Sequence, residues 1–258
     1  MADWNPALYR RFEDERTRPA RELLARVPLE KPRVVFDLGC GPGNSTELLV
    51  QRFPDAHVVG IDNSPAMIES ARKRLPGTEF ELADVSTWQP AEAPDLIYTN
   101  ATLQWVPDHR VLFPRLFSLL APGGVLAVQM PDNMQEPSHL AMHEVAAQDP
   151  WRDAIGDAAK VRQAILPIGG YYDLLVKDAS LVDVWHTIYQ HPMASPAAIV
   201  EWLSSTGLRP FVDKLPEGLR ASFVAQYERC VARDYAVRAD GKLLLAFPRL
   251  FVVAQKKA

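Results

Sequence analysis

Three aspartates close three predicted strands in the first third of the chain: Asp37 after Val34-Val35-Phe36, Asp62 after Val58-Val59-Gly60-Ile61, and Asp84 after Phe80-Glu81-Leu82-Ala83. The first leads straight into Gly39-Cys40-Gly41-Pro42-Gly43, with glycine at every second position. Without a Cβ such a loop lets backbone N–H groups approach a ligand closely, and the helix predicted to follow, Ser45–Arg52 capped by Asn44 or Ser45, points further N–H groups at the same place. Carboxylates at strand ends accept hydrogen bonds from ligand hydroxyls and amines. Asp62 lies about 20 residues beyond the loop, the interval at which an acid meets ribose hydroxyls. Asp84 is placed to accept from an exocyclic adenine amine, with Val85 packing near the ring. Asp37 steadies the loop or a ligand ammonium. The plainer reading of Asp62 is a cap or turn acid ahead of Ser64-Pro65, and of Asp84 a strand-end turn residue. The spacing is D-x-G-x-G-x-G; positions 44 and 46, where G-x-G-x-x-G would need its third glycine, hold Asn44 and Thr46, which disfavours a nicotinamide-dependent oxidoreductase.

To bring these residues to one edge, the chain must supply parallel strands. Strands are predicted at Arg33–Leu38, Val58–Asp62, Thr78–Ala83, Leu96–Asn100 and Val125–Met130, with helices between them from Ser45, from Ser64-Pro65 and over Val111–Leu120. Alternation of this kind implies a parallel sheet covered on both faces, with right-handed crossovers and ligands beyond the carboxyl ends of the strands. Before it, residues 1–31 read as irregular and then helical, with Pro19 opening a helix. After Met130 the rhythm changes. Helices are expected at 138–147 and 157–166, broken by Pro150, Pro167 and Gly169-Gly170. A strand is expected at Leu181–Tyr189, two or three helices over 195–236, and a last strand at Leu243–Ala254 interrupted by Pro248. Helices inserted there are expected to act as a substrate lid.

The ordered set resembles the class I S-adenosylmethionine-dependent methyltransferases: Asp37–Gly43 looks like their first motif, Asp62 like the ribose acid and Asp84-Val85 like the adenine clamp. Asn100-Ala101-Thr102-Leu103-Gln104-Trp105 is similar to the segment after the fourth strand, and Pro122-Gly123-Gly124 to the turn before the fifth. Asp3-Trp4-Asn5-Pro6-Ala7-Leu8-Tyr9, Leu103–His109, Val128–Asn133, Thr206–Pro210 and Leu244–Phe251 extend the likeness, over nearly the whole chain, to a branch of that family that esterifies one carboxylate of a small tricarboxylate. The resemblance implies an α/β, Rossmann-like fold: a mostly parallel seven-stranded sheet, an antiparallel last strand and a helical lid insertion. It implies one methyltransferase domain over 1–258, with an arm at 1–32, a cofactor-binding core at 33–135, a substrate and lid region at 136–242 and the last strand at 243–258. Beyond the loop and the three acids, it implies cofactor contacts from Cys40, Asn63, Met67 and Asn100, with Tyr9 and Arg16 reaching from the arm.

Methyl transfer to a carboxylate requires no general base, because the nucleophile is already ionised near neutral pH, with a reference pKa of about 4. No catalytic side chain is therefore assigned; alignment and removal of water remain. A cation bonded to the reacting oxygen would stabilise the ground state most, so arginines should grip the other carboxylates. Arg209, in Gly207-Leu208-Arg209-Pro210, and Arg249, after Phe247-Pro248, are the candidates. Trp105, Tyr171 and Tyr172 are assigned to the substrate pocket. The plain alternatives are a solvated turn arginine for Arg209, an edge-strand gatekeeper charge for Arg249 and aromatic core packing for Tyr171 and Tyr172.

Composition narrows the rest. The net charge of −4 argues against a nucleic-acid footprint, and no Asn/Asp-Pro-Pro-aromatic tetrad follows the fourth strand, where the chain reads Asn100-Ala101-Thr102-Leu103. No apolar run reaches the ~20 residues that span a bilayer, and the amino terminus has neither a basic nor an apolar leader region. Two cysteines, Cys40 and Cys230, offer neither a disulfide framework nor a metal set; His139 and His143 lack the glutamate of H-E-x-x-H. The expectations are a cytoplasmic protein, no metal, no membrane, and a monomer or weak homo-oligomer. The alternatives are a methyltransferase for another small acid or a carbon nucleophile, and a cofactor-binding regulator without turnover.

Overall fold

The computed structural model describes residues 13–161, 164–204 and 206–258, with side chains from Thr17 onward. Continuous apolar runs bounded by glycine, proline or an acid form the central strands, since parallel strands are covered on both faces. They are β1 Val34–Leu38, β2 His57–Asp62, β4 Leu96–Asn100 and β5 Val125–Pro131, and β1 is buried along its whole length; β3 Glu79–Leu82 lies at the sheet edge with only Phe80 buried. Two long strands, β6 Ala179–Met193 and β7 Leu243–Lys256, complete a seven-stranded sheet of order β3-β2-β1-β4-β5-β7-β6. The pairs β1–β2, β1–β4, β2–β3 and β4–β5 are parallel. Against β5 the last strand is antiparallel, since Lys256 N–H donates to Gly124 O while Asp132 N–H donates to Pro248 O. Against β6 it is antiparallel as well, with Lys257 N–H on Asp178 O and Ser180 Oγ on Gln255 O. The expected fold class holds: β7 is the antiparallel strand, and because it lies between β5 and β6 it makes two antiparallel pairings.

Helices α1 Glu13–Ala25, α2 Asn44–Arg52, α3 Pro65–Arg74 and α4 His109–Leu119 carry the crossovers and the amino-terminal approach. The start of α3 is written in the sequence: Pro65 sits at its first position and the Ser64 side chain accepts from Met67 N–H. Gly60 answers a packing demand, because a Cβ there would lie 2.5 Å from the Phe80 ring. Tyr98 sends its hydroxyl through the core to Ala20 O at 2.6 Å, tying α1 to β4.

Beyond β5 the elements are α5 Pro137–Ala146, α6 Arg152–Ile155, a 3-10 turn Ala158–Lys160, α7 Ile168–Leu175, α8 Pro196–Ser204, α9 Arg209–Val212 and α10 Glu217–Asp234. Four expectations change here. The helix expected over 157–166 is only the 3-10 turn, and α7 begins next to the two glycines read as a break. The strand β7 runs through Pro248, and β6 is longer at both ends than Leu181–Tyr189. Earlier in the chain, α1 starts at Glu13, with Pro19 inside it.

Two compact units emerge. One gathers the chain up to Met130 with Ile165–His186 and Leu250–Ala258; the other gathers Pro131–Ala164 and Thr187–Arg249. The first contains an apolar core in which Phe36, Ile97, Phe113, Val128 and Val252 are buried. In the second, α10 packs on α5 and α8, with the Tyr227 hydroxyl on Ser138 O and Trp151 edge-on to Phe223 at 5.7 Å. Among the described residues no helix is long and apolar enough to cross a membrane.

Candidate functional site

Parallel pairing puts the ends of β1, β2 and β4 on one edge of the sheet, and the sequence places its chemistry there. Leaving β1, the chain turns through Gly39, Gly41 and Gly43 at φ 73°, 54° and 91°, the left-handed region that side chains rarely adopt. Gly39 and Cys40 both donate N–H to Ile61 O, at 2.7 and 2.9 Å, while Gly41 N–H donates to Asp62 Oδ2 at 2.9 Å. The other oxygen of Asp62 takes Ser64 N–H at 2.9 Å. The loop after β1 and the acid after β2 are thus one hydrogen-bonded unit.

Asp37 lies beneath that loop, fully buried. Its Oδ2 accepts from the hydroxyls of Ser45 and Thr46, each at 2.7 Å. Those two residues therefore brace Asp37 instead of capping α2, whose cap position is Gly43. Burial pushes the Asp37 pKa up to about 6, only partly offset by the two hydroxyls, with nearby Asp62 adding to the rise. Cys40 is buried with Ile68, Ala71 and Phe80, and its thiol pKa is raised, foremost by burial.

A small cavity opens above the loop, lined by Gly39–Pro42, Asn44, Ser45, Asn100, Thr17 and Ala20. Two of its polar atoms, Asn100 Oδ1 and Thr17 Oγ1, are buried without a hydrogen-bond partner among the described residues. Buried polar atoms are nearly always paired, so two orphaned oxygens on residues that line one cavity make it a candidate site for a polar ligand group. No Cβ at Gly41 would meet anything within 4 Å, leaving room over the backbone there.

The structure brings together Asp37, Gly39, Cys40, Gly41, Gly43, Asp62 and Asn100. Ala83 N–H donates to Asp62 O at 3.0 Å, which sets Asp84 and Val85 beside that edge. Asp84 is exposed and its Oδ1 takes Ser86 N–H at 2.8 Å, whereas Val85 is buried in the core with Trp88. Asn63 is exposed and Met67 buried. Tyr9 and the Arg16 side chain lie outside the described residues. Trp105, on the 3-10 turn Leu103–Trp105, and Tyr172, on α7, are both exposed. Tyr171 is wholly buried, its hydroxyl 2.6 Å from His109 Nδ1. In the other unit Arg209 is partly exposed and pairs with Asp213 at 3.3 Å. Arg249 is 4% exposed, its Cζ 4.8 Å from the Phe247 ring centroid and 5.9 Å from that of Tyr189. Among the described residues no cluster could hold a metal ion.

Sequence reasoning missed Thr17, Ala20 and Thr102. The Thr102 hydroxyl donates to Gly39 O at 3.2 Å, and its Oγ1 would stand 2.1 Å from a Cβ at position 39. No spacing rule announces a threonine that packs under a glycine 63 residues away.

Comparison with known proteins agrees with this geometry. The profile of a family described as a methyltransferase domain matches residues 9–209. A trans-aconitate 2-methyltransferase of Variovorax paradoxus (strain S110) is 68% identical over 259 residues, covering all of both chains. One of Paracidovorax citrulli (strain AAC00-1) is 70% identical over 260 residues, again with full coverage of both. Among solved structures, the YcgJ protein of Bacillus subtilis superposes with a TM-score of 0.58 at 12% identity, over 93% of this chain and 99% of that one.

Proposed function

The chain belongs to the methyltransferase-domain family, and from that premise we propose that it transfers the methyl group of S-adenosylmethionine to one carboxylate of trans-aconitate, giving the monomethyl ester. The observation that carries the substrate is the 68% and 70% identity, over complete chains, to two trans-aconitate 2-methyltransferases.

The cavity suits the amino-acid end of the cofactor, because Asn100 Oδ1 and Thr17 Oγ1 are buried acceptors in need of a donor such as an ammonium group. Asp62 accepts from the ribose hydroxyls, and Asp84 with Val85, Asn63 and Met67 serves the adenosine. Gly39, Cys40, Gly41 and Gly43 supply close-approaching backbone, and Asp37 holds that backbone in shape through Ser45 and Thr46. Tyr9 and Arg16 are assigned to the cofactor carboxylate. When bound, the cofactor supplies an electrophilic methyl group on a sulfonium sulfur.

The protein's own work is to bind, orient and dehydrate an acceptor that is already ionised, so no residue takes a proton. Arg209 and Arg249 are proposed to hold the carboxylates that do not react, leaving the nucleophilic one without a cation. Trp105 and Tyr172 are proposed to contact the carbon skeleton. The free thiols Cys40 and Cys230 support a reducing, cytoplasmic setting, and the net charge of −4 supports a small-molecule substrate over a nucleic acid. We take the working species to be a monomer or weak homo-oligomer.

Incubation with S-adenosylmethionine and a panel of di- and tricarboxylates, read by mass spectrometry, tests the reading. A monomethyl ester of trans-aconitate formed in preference to other esters is the expected product. Turnover of another acid instead reassigns the substrate, and cofactor binding with no methylated product for any acid makes the protein a regulator.

A further inference from the structure

Between β4 and α4 the chain passes through a segment bracketed by two strained residues. Ala101 and Asp108 both hold φ at 56°, a conformation that costs a residue with a Cβ and persists only where its surroundings enforce it. Asn100, which lines the cavity, stands just before the segment, and Thr102, which packs beneath Gly39, lies within it. The placement of these eight residues therefore sets part of the cofactor site.

The hydrogen bonds that hold the segment include three that tie it to its surroundings or to itself through side chains: Ala101 N–H to Gln129 O at 2.9 Å, Gln104 Nε2 to Ala101 O at 2.6 Å, and His109 Nε2 to Leu103 O at 2.8 Å. The third has a further layer. His109 is buried, and its other ring nitrogen, Nδ1, lies 2.6 Å from the Tyr171 hydroxyl on α7. A carbonyl only accepts, so Nε2 carries the proton, and in the neutral ring Nδ1 accepts from the Tyr171 O–H. The phenol oxygen in turn accepts Leu166 N–H at 3.1 Å. Each member of the chain from Leu166 through Tyr171 and His109 to Leu103 thereby has a fixed donor and acceptor sense. Burial lowers the His109 pKa, consistent with a neutral ring.

We propose that His109 and Tyr171 are a positioning pair, in which Tyr171 holds the imidazole ring in its orientation and His109 fixes the Leu103 carbonyl, so that Asn100 and Thr102 stand ready for the cofactor. The inference rests on the reading that the cavity binds S-adenosylmethionine. Tyr171, assigned from sequence to the substrate pocket, is 0% exposed and acts here through His109. Phe113, 4.6 Å from the Tyr171 ring, gives the competing explanation of pure core packing.

The variants Tyr171→Phe, His109→Gln and His109→Ala separate the two, with S-adenosylhomocysteine affinity by titration calorimetry, urea midpoint, and 15N NMR of the histidine rings as readouts. Tyr171→Phe keeps the ring and its packing; it is expected to raise the Kd ~3–10-fold, as loss of one net hydrogen bond does. The His109 Nδ1 resonance should also shift as the hydrogen bond from the phenol is lost, while Nε2 stays protonated on the Leu103 carbonyl. His109→Gln, whose amide N–H reaches the Leu103 carbonyl, should stay within ~3-fold of wild type, and His109→Ala should lose more than ~10-fold. Unchanged affinity in Tyr171→Phe, or equal losses in His109→Gln and His109→Ala, overturns the positioning pair while leaving the cofactor reading intact. Wild-type protein that does not bind S-adenosylhomocysteine overturns that reading and the pair together. Should His109→Ala fail to fold, Tyr171→Phe and His109→Gln decide the matter.

Discussion

Gly41 donates its backbone N–H to Asp62 Oδ2 at 2.9 Å, so the acid proposed to receive the ribose also fixes the loop that approaches the cofactor. One carboxylate carries two duties, and its removal should be felt twice. Asp62→Ala is expected to raise the cofactor Kd by more than ~10-fold, a charged acceptor being worth ~1.5–3 kcal/mol, and to lower stability by ~1–3 kcal/mol as Gly41 and Ser64 lose their acceptor. Asp62→Asn, which keeps one carbonyl oxygen, should fall between. Calorimetric titration and urea unfolding measure the two effects separately; unchanged cofactor affinity in Asp62→Ala removes Asp62 from the ribose.

The glycines of the loop are not equivalent. A Cβ at Gly39 would lie 2.1 Å from Thr102 Oγ1 and 2.6 Å from Thr102 Cβ, at a φ of 73°. A threonine is stiff about its first side-chain torsion and cannot swing away cheaply. At Gly41 the same methyl group meets nothing, and only the φ of 54° opposes it. Gly39→Ala should thus cost ~3 kcal/mol or more and abolish cofactor binding, while Gly41→Ala should cost only ~1–2 kcal/mol. Thermal and urea denaturation of the pair, side by side, give the comparison, and equal losses would show that backbone conformation alone is at stake.

These contrasts show what a linear sequence makes legible. The central strands β1, β2, β4 and β5 and the three strand-end acids were readable because buried parallel strands appear as unbroken apolar runs with punctuated ends. The start of α3 was equally plain in Ser64-Pro65. Around α7 the same reasoning failed, since Gly169-Gly170 looks like a break. In the fold those glycines occupy the first turn, while Tyr171 and Leu175, one turn apart, are buried and hold the helix in place. Pro248 looked like an interruption of β7, yet its carbonyl accepts Asp132 N–H and the strand continues. Pro192 is carried by β6, an edge strand, where a missing N–H is tolerated. Thr17 at the cavity, Thr102 under Gly39 and Tyr171 on His109 are meetings across tens of residues, and no local period encodes them.

Asp37 makes stability depend on pH in an unusual direction. Its folded pKa of about 6 lies above the ordinary carboxylate value of 3.8, so the folded protein holds the proton more tightly than the unfolded chain. Its contribution is therefore fully present below about pH 4 and is lost as pH rises through 6, by ~3 kcal/mol in all. Asp37→Asn removes this titration and, keeping an acceptor for Ser45 and Thr46, should flatten the wild-type decline between pH 4 and 6. Unfolding free energies measured across that window in both proteins test it; parallel pH curves would mean that Asp37 titrates normally.

Arg249 and Arg209 make different predictions although both were assigned to the substrate. Arg249 is buried, its guanidinium between Phe247 and Tyr189, so any anion it receives is drawn out of water. A charge-assisted bond in such a setting is worth ~1.5–3 kcal/mol, and Arg249→Met, which preserves bulk, should raise the KM for trans-aconitate ~10–150-fold. The cofactor Kd should stay the same. Arg249→Lys keeps the charge but loses the planar fork, so it should recover only part of the affinity. Arg209 is partly exposed and shares its charge with Asp213, so solvent weakens its hold, and Arg209→Ala should change KM by only a few-fold, in line with the ~0–1 kcal/mol of exposed ion pairs. Were Arg249 purely a packing residue, Arg249→Met would shift the melting temperature and leave KM alone. Steady-state kinetics and thermal melts on the same preparations distinguish these outcomes, and an unaltered KM in all three variants would move carboxylate recognition to other residues.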